Sequence, residues 1–469
     1  MPSTHQILTM SRRAVASGVA GVLIATLGTI LQLGGGAAPT ASAHGETNVT
    51  GCQVKSTLGG RITWHHFTRP HAPCELGTSS AQDVHIRNEM IRLIDDTPAP
   101  AAGADPVIIR GAFLAIREPA VVDALKRAHD RGVTVRFTFT YDTPQLGDKS
   151  FYRAFGGRRC GEFKPLGGSS PLYSPDDDGD GTLSEGRWGC NSDHTSGIAH
   201  TKAMTFSKTK DPEGVVRPWV VWTGSHNAAQ SHGGSGGYNN SMTSYNDQAL
   251  YGDHENYDGL GVYNILRQMY NNADEPIGAP RRLKGWVDYY VPDERGTVNG
   301  LSANIIASPE AQTDFIVGRL NLWQPNGNCE VRVQQAVFRR AEIAEKLVQM
   351  SNAGCRVWVM AGTYTPSIVD ILKRAAGAMS IREMPRVHDK SFLVQGNRKS
   401  GGSVSYQVYA GSHNLNVPSL RQNDEFFVML TPEGDTHPVY NAYNAHFGPH
   451  GPWGQCTVDN SANGCQIYR

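Results

Sequence analysis

The sequence has no excess of charge of either sign. Lysine and arginine together number 43, and aspartate and glutamate also number 43, so the formal net charge is zero. A protein that binds nucleic acid through its overall field usually carries a basic excess, so no stable nucleic acid partner is expected. A local basic cleft remains compatible with this balance.

None of the eight cysteines has the C-x-x-C spacing that is typical of thiolate zinc sites. They occur instead as four pairs that are close in sequence, and an even count in an exported chain favours disulfides. We therefore expect each cysteine to pair with its neighbour, giving Cys52–Cys74, Cys160–Cys190, Cys329–Cys355 and Cys456–Cys465.

Charge is also missing from residues 14–33, a largely apolar stretch that follows Arg12 and Arg13. The small residues Ala41, Ser42 and Ala43 come next, in the order of a secretory signal. We expect cleavage after residue 43 and an extracellular protein. The alternative is an uncleaved membrane anchor, because about twenty weakly polar residues can span a bilayer.

A helix and strand pattern occurs twice in the chain. Residues 121–128 place apolar side chains at helical spacing, Gly132 ends the helix, and residues 133–139 alternate like a strand. A similar stripe at 343–350, then Gly354 and a strand at 355–360, repeats this order. Because each copy is typical of a helix that feeds a strand of an α/β layer, the sequence predicts a duplicated α/β protein.

Each half also contains an H-x-K tripeptide and, further on, a G-S-x-N tetrapeptide. The serine of the second motif follows the histidine of the first by 25 residues in one half (200 to 225) and by 24 in the other (388 to 412). One H-x-K alone is more often a solvated strand edge, but near-equal spacing of two composite motifs is hard to obtain by accident. The candidate site residues are His200, Lys202, Ser225 and Asn227 in the first half and His388, Lys390, Ser412 and Asn414 in the second.

The chemistry of these motifs points to phosphate. Side chains two residues apart on a strand project from the same face, so each histidine shares a face with its lysine. The imidazole can attack phosphorus or supply a proton, while the ammonium neutralises a phosphate oxygen beside it. The serines and asparagines add uncharged donors that would hold the equatorial oxygens.

The repeated motifs resemble the signature of the phospholipase D superfamily, which is H-x-K-x-x-x-x-D followed by G-S-x-N, twice per active unit. The resemblance covers roughly residues 83–430. It implies two pseudo-twofold-related phospholipase D-like α/β sandwich domains with the active site at their interface. It also implies His200 as the nucleophile and His388 as the general acid, with a phosphohistidine that water or an alcohol resolves. No cofactor is required, and the implied phosphate ligands are Lys202, Lys390, Asn227 and Asn414.

The chain departs from this signature at the aspartate of the first motif. Ser207 occupies that position in the first copy and Gln395 in the second. In the family this aspartate supports the site rather than reacting, and the tyrosyl-DNA phosphodiesterase branch has asparagine there. The departures leave open a weakly active or inactive binding relative.

A nucleophilic histidine also needs a carboxylate that fixes its tautomer through the other ring nitrogen. The family takes this group from further downstream, which makes Asp247 and Glu425 the candidates. The alternative is that both are solvated turn carboxylates. Residues 231–241, rich in Gly, Ser and Asn, are expected to form a mobile loop beside the first motif.

An acidic run in the first half has the spacing of the first part of an EF-hand calcium loop. Position twelve is Arg187 where a bidentate glutamate is expected, so a solvated acidic turn is the alternative. Any calcium here is expected to be structural, because phosphohistidine chemistry needs no metal. The candidate ligands are Asp176, Asp178, Asp180 and Ser184.

Chelation distinguishes the calcium loop from the acidic turn. If calcium is bound, we expect a chelator to lower the melting temperature while turnover at low temperature stays nearly unchanged, because only the native state binds the ion. The Asp178→Ala variant should melt in the same way without chelator. Calorimetry of both samples measures this, and two unchanged melting curves would leave only the acidic turn.

The motifs and linkers predict a division into segments. By residue number these are a signal peptide at 1–43, a disulfide-linked segment at 44–80, a first phospholipase D-like domain at 81–274 with an insertion at 143–193, a connection at 275–300, a second domain at 301–432 and a disulfide-linked tail at 433–469. Secretion and balanced charge favour a phospholipid head-group phosphodiester as the substrate, cleaved or transferred by a monomer in transient contact with a membrane surface. A secreted nuclease or small phosphodiesterase with the same site is the alternative.

Overall fold

The computed structural model describes residues 51–58, 61–141, 157–159, 198–231, 233–252, 261–272, 289–290, 302–308, 314–431, 437–459 and 464–468. All of them lie in one compact unit, residues 43–469. The expected signal peptide, the Cys160–Cys190 bridge and the four candidate calcium ligands lie outside the described residues. In the described ranges, no helix is long and apolar enough to cross a membrane.

The first half of the chain forms a mixed sheet with eight described strands. They are β1 (Gln53–Leu58), β2 (Arg61–Thr68), β3 (Ile108–Ala115), β4 (Thr134–Tyr141), β5 (Gly157–Arg159), β6 (Lys202–Lys210), β7 (Val216–Gly224) and β8 (Asn239–Tyr245). Their order across the sheet is β1-β2-β8-β7-β6-β3-β4-β5. The β3, β4 and β5 strands are mutually parallel, and the other neighbours are antiparallel. Two strands from the expected N-terminal disulfide-linked segment thus extend this sheet.

The second half repeats this sheet strand by strand. Its strands are β9 (Tyr289–Tyr290), β10 (Ser302–Ser308), β11 (Glu330–Phe338), β12 (Arg356–Tyr364), β13 (Met379–Glu383), β14 (Lys390–Asn397), β15 (Val404–Gly411), β16 (Glu425–Thr431) and β17 (Gln466–Tyr468). Their order is β17-β13-β12-β11-β14-β15-β16-β10-β9. Read from its other edge, this order is that of the first sheet with eight added to each strand number. The strand β17, from the C-terminal tail, is added beside β13.

Ten helices lie in the described ranges. They are α1 (His85–Asp95), α2 (Pro119–Asp130), α3 (Gln248–Tyr251), α4 (Val262–Asn272), α5 (Phe315–Leu320), α6 (Ala341–Asn352), α7 (Pro366–Leu372), α8 (Val417–Arg421), α9 (Pro438–Phe447) and α10 (Pro452–Gln455). The predicted units are present as α2 followed by β4 and α6 followed by β12. The glycines between them, Gly132 and Gly354, have φ of +87° and +110°, a left-handed conformation that an L side chain would strain.

The two sheets share an apolar layer. Val221 and Met242 of the first sheet and Val408 and Val428 of the second belong to one buried cluster. The helices α1 and α2 bury their apolar stripes on the outer face of the first sheet, while α6 and α7 do so on the second. Burial of both faces agrees with the end of β7, where the consecutive residues Val220, Val221 and Trp222 are all buried. The predicted α/β fold with two similar domains is confirmed.

Three of the four predicted disulfides lie in the described residues, and all three are formed. The Cα–Cα distances are 5.8 Å for Cys52–Cys74, 4.5 Å for Cys329–Cys355 and 5.3 Å for Cys456–Cys465. Disulfides persist mainly in oxidising compartments, so these bridges are compatible with a secreted protein.

Candidate functional site

The motifs of each half lie at one end of its sheet. In both halves the H-x-K lysine begins one strand, the G-S-x-N glycine ends the next, and a polar residue begins the third. Because antiparallel neighbours run in opposite directions, these three positions meet at the same edge. They are Lys202, Gly224 and Asn239 in the first half and Lys390, Gly411 and Glu425 in the second.

The glycine of each G-S-x-N motif permits a close approach of two strands. A Cβ on Gly224 would lie 2.3 Å from the carbonyl oxygen of Asn240, and a Cβ on Gly411 would lie 2.2 Å from that of Phe426. Such contacts are shorter than van der Waals distance, so any side chain at these positions would push the third strand away. The motif glycines therefore hold the polar residues of the third strand against the site.

Backbone hydrogen bonds join each motif histidine to the other half of the chain. The amide of His200 donates to the carbonyl of Asp424 at 2.9 Å, and the amide of His388 donates to the carbonyl of Tyr238 at 3.1 Å. A second backbone bond of 2.9 Å closes each bridge, and both bridges are parallel. The residue after each bridge acceptor is the one that begins the third strand, so each histidine meets a polar side chain of the opposite half.

The partner of His200 is the carboxylate of Glu425. The imidazole Nδ1 lies 2.7 and 2.8 Å from the two carboxylate oxygens, and both side chains are buried. An ionised carboxylate only accepts, so Nδ1 carries the proton and Nε2 presents a lone pair. The hydroxyl of Ser412 donates to the same carboxylate at 2.6 Å. Ser412 therefore contacts Glu425, and its expected role as a phosphate donor stays a prediction.

The partner of His388 is an amide, that of Asn239. The imidazole Nδ1 lies 2.9 Å from Asn239 Oδ1, which also accepts from Ser225 Oγ at 3.0 Å. Asn239 Nδ2 donates to the carbonyl of Gly234 at 2.9 Å, and this bond fixes which end of the amide faces the histidine. Ser225, like its counterpart, supports the residue that orients a histidine. Both imidazoles therefore direct Nε2 away from their partners, but only His200 has a charged partner.

Asp247 is not brought to the site. It lies beyond the opposite end of β8, where its carboxylate caps α3 by accepting from the amide of Leu250 at 3.1 Å. It also accepts from Ser244 Oγ at 2.9 Å and lies 3.3 Å from Arg61 Nε. The residue that sequence reasoning missed is Asn239. Its spacing from the motif, rather than its charge, could have revealed Asn239. It follows its motif serine by 14 residues (225 to 239), and Glu425 follows its own by 13 (412 to 425).

The two lysines have equivalent positions. Each Nζ donates to the carbonyl of its own motif histidine at 2.6 Å, and both side chains are buried. Lys390 Nζ also lies 3.2 Å from both ring nitrogens of His388. Burial lowers the pKa of Lys202 to about 7, an effect that Glu425 partly offsets. Burial and the neighbouring Lys202 lower the pKa of Lys390 well below its usual value.

The surroundings shift the pKa values of the two histidines and of Glu425 to different extents. Burial lowers the pKa of His200 although Glu425 opposes this, whereas burial, Lys390 and Lys202 lower the pKa of His388 well below 6.5. Burial alone would raise the pKa of Glu425, but the charges and hydrogen bond of its neighbours, His200 foremost, lower it to about 2. Glu425 is therefore ionised at neutral pH, and the cationic groups around it hold their protons weakly until an anion arrives.

The motif asparagines complete the symmetric arrangement. Asn227 and Asn414 are 8% and 9% exposed, and the amide oxygen of each has no hydrogen-bond partner among the described residues. Each unpaired amide oxygen can accept a hydrogen bond from a ligand, whereas holding a phosphate oxygen would fall to the amide nitrogen. His226 and His413 are buried beside them, and burial lowers the pKa of each to about 3. Both are therefore neutral, and His413 packs edge-on against Phe315 at 5.0 Å between ring centroids.

The two departures from the motif aspartate lie away from this edge. Ser207 is five residues beyond Lys202, which is roughly 16 Å along β6. Its hydroxyl accepts from the amide of Ile108 at 2.9 Å, so it joins β6 to β3. Gln395 is the equivalent residue of β14. Neither replacement removes a side chain from the group that surrounds the two histidines.

Anion binding to this site should take up protons. An anion stabilises the charged forms of Lys202, Lys390 and His388, which raises pKa values that burial has lowered. We expect sulfate, which does not titrate near neutral pH, to bind more weakly as pH rises from 6 to 9 and to take up about one proton per site at pH 8. Titration calorimetry in buffers of different ionisation enthalpy measures this uptake. Lys202→Met should reduce it, and binding without any uptake would contradict the lowered pKa values.

No metal cluster is present in the ranges that the structure describes. There, no group of three or more His, Cys, Asp or Glu side chains could hold an ion.

Comparison with known proteins gives a family match for the second half. Residues 326–449 match the family model described as cardiolipin synthase, PLD-like domain. No curated protein matches the chain. Among solved structures, the phosphatidylserine synthase of Haemophilus influenzae Rd KW20 is 11% identical with a TM-score of 0.46, and the match covers 82% of this chain and 85% of that one.

Two further structures are similar to parts of the chain. Nuc, a phospholipase D family member of Salmonella typhimurium, is 16% identical with a TM-score of 0.27, covering 36% of this chain and 99% of that one. The polyphosphate kinase of Porphyromonas gingivalis is 12% identical with a TM-score of 0.41, covering 76% of this chain. The match spans only 47% of the kinase. The segment matched by the family model contains the second H-x-K and G-S-x-N motifs, so residues 326–449 form a phospholipase D-like domain, and the first half of the chain repeats both motifs.

Proposed function

We propose that this protein is a phosphodiesterase that hydrolyses or transfers a phospholipid head-group phosphodiester through a phosphohistidine intermediate. The observation that carries the proposal is the unequal partnering of two histidines at one site, with Glu425 on His200 and Asn239 on His388. A reaction in two displacements needs one imidazole that becomes cationic and one that gives up a proton easily. The partners fit those two tasks.

His200 is the nucleophile in this proposal. Its Nε2 attacks phosphorus, a nitrogen–phosphorus bond forms, and the bond from phosphorus to the leaving alcohol breaks. The ring then carries phosphate on Nε2 and a proton on Nδ1, which makes it cationic. Glu425, held by Ser412, stabilises that cation directly.

His388 is the general acid and then the general base. In its protonated form Nε2 donates to the leaving oxygen, and it later takes a proton from water or an acceptor alcohol that attacks the phosphohistidine. Its partner Asn239 is neutral, and Lys390 lies beside the ring, so the imidazolium gives up its proton readily. Proton transfer of this kind contributes about 10²- to 10⁴-fold.

The lysines and the motif asparagines hold the phosphate. Lys202 and Lys390 supply positive charge from both sides, and they are opposed by the carboxylate of Glu425 and, in the case of Lys390, also by that of Asp389. A phosphodiester anion would relieve the repulsion between these two buried cations. The amides of Asn227 and Asn414 can orient the equatorial oxygens.

A lipid substrate is supported by the balanced charge of the chain and by its expected secretion. Polynucleotide binding would require many phosphate contacts beyond the central one, and its affinity would fall steeply with salt. Contact with a membrane surface would be transient, and a monomer contains both halves of the site.

A product screen tests the proposal. The secreted protein is incubated with phosphatidylcholine, phosphatidylethanolamine and single-stranded DNA, with and without chelator, and the products are separated by mass. We expect phosphatidic acid from at least one lipid and no loss of activity with chelator. The double variant His200→Asn, His388→Asn is the control for contaminating enzymes. DNA cleavage alone would favour a nuclease, and no cleavage of any substrate would favour a binding relative.

A further inference from the structure

The segment after the first G-S-x-N motif folds back over that motif. The amide of Asn227 donates to the carbonyl of Gly233 at 2.7 Å, and the amide of Ser235 donates to the carbonyl of Ala229 at 3.0 Å. Residues 234–241 are buried, so the expected mobile loop is a closely packed wall in its described part. The backbone of Gly233 is thereby fixed at the site.

Because it has no side chain, the backbone of Gly233 comes close to Nε2 of His388, the atom that transfers the proton in the proposed mechanism. A Cβ on Gly233 would lie 2.9 Å from Asn227 Nδ2 and 3.3 Å from His388 Nε2. The backbone of Gly233 is outside the left-handed region, so an L side chain is conformationally allowed there. The constraint on this position is therefore the space in front of the two site residues.

The second half has no equivalent wall. The segment between Asn414 and Glu425 contains no glycine, and it forms α8 instead of a folded-back loop. The two sides of the site consequently differ in shape as well as in charge. Gly233 lies on the side of His388, where Nε2 would meet the leaving oxygen in the first step and the acceptor in the second.

We propose that Gly233 is a specificity-determining residue, whose missing side chain admits the leaving alcohol, and later the acceptor, next to His388 Nε2. The inference rests on the proposed function, because only the assignment of His388 as general acid makes this space the leaving-group side. A methyl group at position 233 would take up room beside His388 Nε2 and would also press on Asn227 Nδ2, a phosphate ligand on which both substrates of each pair depend alike. Loss of room for one methyl is worth about tenfold or more in discrimination between substrates.

The test varies bulk on one side of phosphorus at a time. The values of kcat/KM are measured for methyl phosphodiesters of p-nitrophenol and 2-methyl-4-nitrophenol, which differ in bulk at the leaving oxygen. A second pair keeps p-nitrophenol and replaces methyl by phenyl on the group that stays. For each pair we take the ratio of kcat/KM for the bulkier substrate to kcat/KM for the smaller one. We expect Gly233→Ala to lower this ratio by about tenfold or more for the pair that differs in the leaving group, and to leave it unchanged for the pair that differs in the group that stays.

Two controls separate this effect from damage to the fold. A Cβ on Gly318 of α5 would meet nothing within 4 Å, so Gly318→Ala should leave both ratios unchanged. A Cβ on Gly236 would lie 3.0 Å from the carbonyl of Gln230, so Gly236→Ala strains the loop without touching His388 and should lower all rates alike. Ratios do not depend on the folded fraction, so partial misfolding of Gly233→Ala does not obscure the result. If the wild-type protein is active and Gly233→Ala has the same ratios as the wild-type protein, this inference alone is overturned. If the wild-type protein is inactive, the proposed function is overturned and the inference with it.

Discussion

Replacing His200 with asparagine is expected to stop cleavage of every phosphodiester, whereas replacing His388 should spare substrates with good leaving groups. Without His200 no nucleophile remains, so the loss should be about a thousandfold or more on all substrates. Without His388 the alcohol must leave unprotonated. That costs about 10²- to 10⁴-fold for an alkyl alcohol and little for p-nitrophenol, which leaves as a stable anion.

The measurement compares both variants on an alkyl phosphodiester and on a p-nitrophenyl phosphodiester. Acid quenching with labelled substrate should place phosphate on His200, and the label should accumulate in His388→Asn because water then lacks its general base. Label on His388 alone would reverse the two roles. Full activity of both variants, with no label on either histidine, would contradict the mechanism.

The second large effect concerns the residues that orient the two rings. Glu425→Gln keeps the shape of the side chain but removes the charge that stabilises cationic His200. We expect kcat to fall by about 10²- to 10⁴-fold, as for other enzymes in which a histidine loses its buried carboxylate partner. The melting temperature of the variant serves as a check that the fold is retained.

The converse change, Asn239→Asp, places a carboxylate on His388. A negative charge next to Nδ1 favours the imidazolium and raises the pKa of His388. Since His388 must be protonated to release the alcohol, activity falls as pH rises through this pKa. A raised pKa therefore moves the alkaline limb of the kcat profile to higher pH.

Asp247→Asn is the matched control for both orienting variants. Asn caps a helix as well as Asp does, and Asp247 contacts Leu250, Ser244 and Arg61 rather than a motif histidine. We expect its pH profile to match the wild-type profile. A shifted profile in Asp247→Asn, or an unshifted one in Asn239→Asp, would contradict the partner assignment.

Local features of the fold could be predicted because they depend on residues near each other in sequence. The apolar stripe of residues 121–128 and the glycine at 132 predicted α2 and its end, and the same holds for α6. The neighbouring cysteines predicted the three described disulfides, since each closes a short loop. Likewise, the H-x-K motif placed each histidine and lysine on one face, because strand side chains alternate.

Contacts between the halves could not be predicted in this way. Glu425 is 225 residues from His200, and Asn239 is 149 residues from His388, so no local pattern links either pair. Glu425 was found because it is a carboxylate. Asn239 was missed because the same search for charge led to Asp247, which the length of β8 carries to the opposite end of the sheet.

The sequence by itself therefore determined the duplicated α/β fold, because strand periodicity and helix stripes are local properties of the chain. The repeated motifs likewise identified the eight motif residues as candidates for the site. The tertiary structure decided which group orients each histidine and which wall closes the site. Those choices depend on two backbone bridges between the halves and on a buried glycine loop, which form only when the two sheets pack together. The asymmetry between a carboxylate and an amide, on which the proposed roles of the two histidines rest, is visible only after that packing.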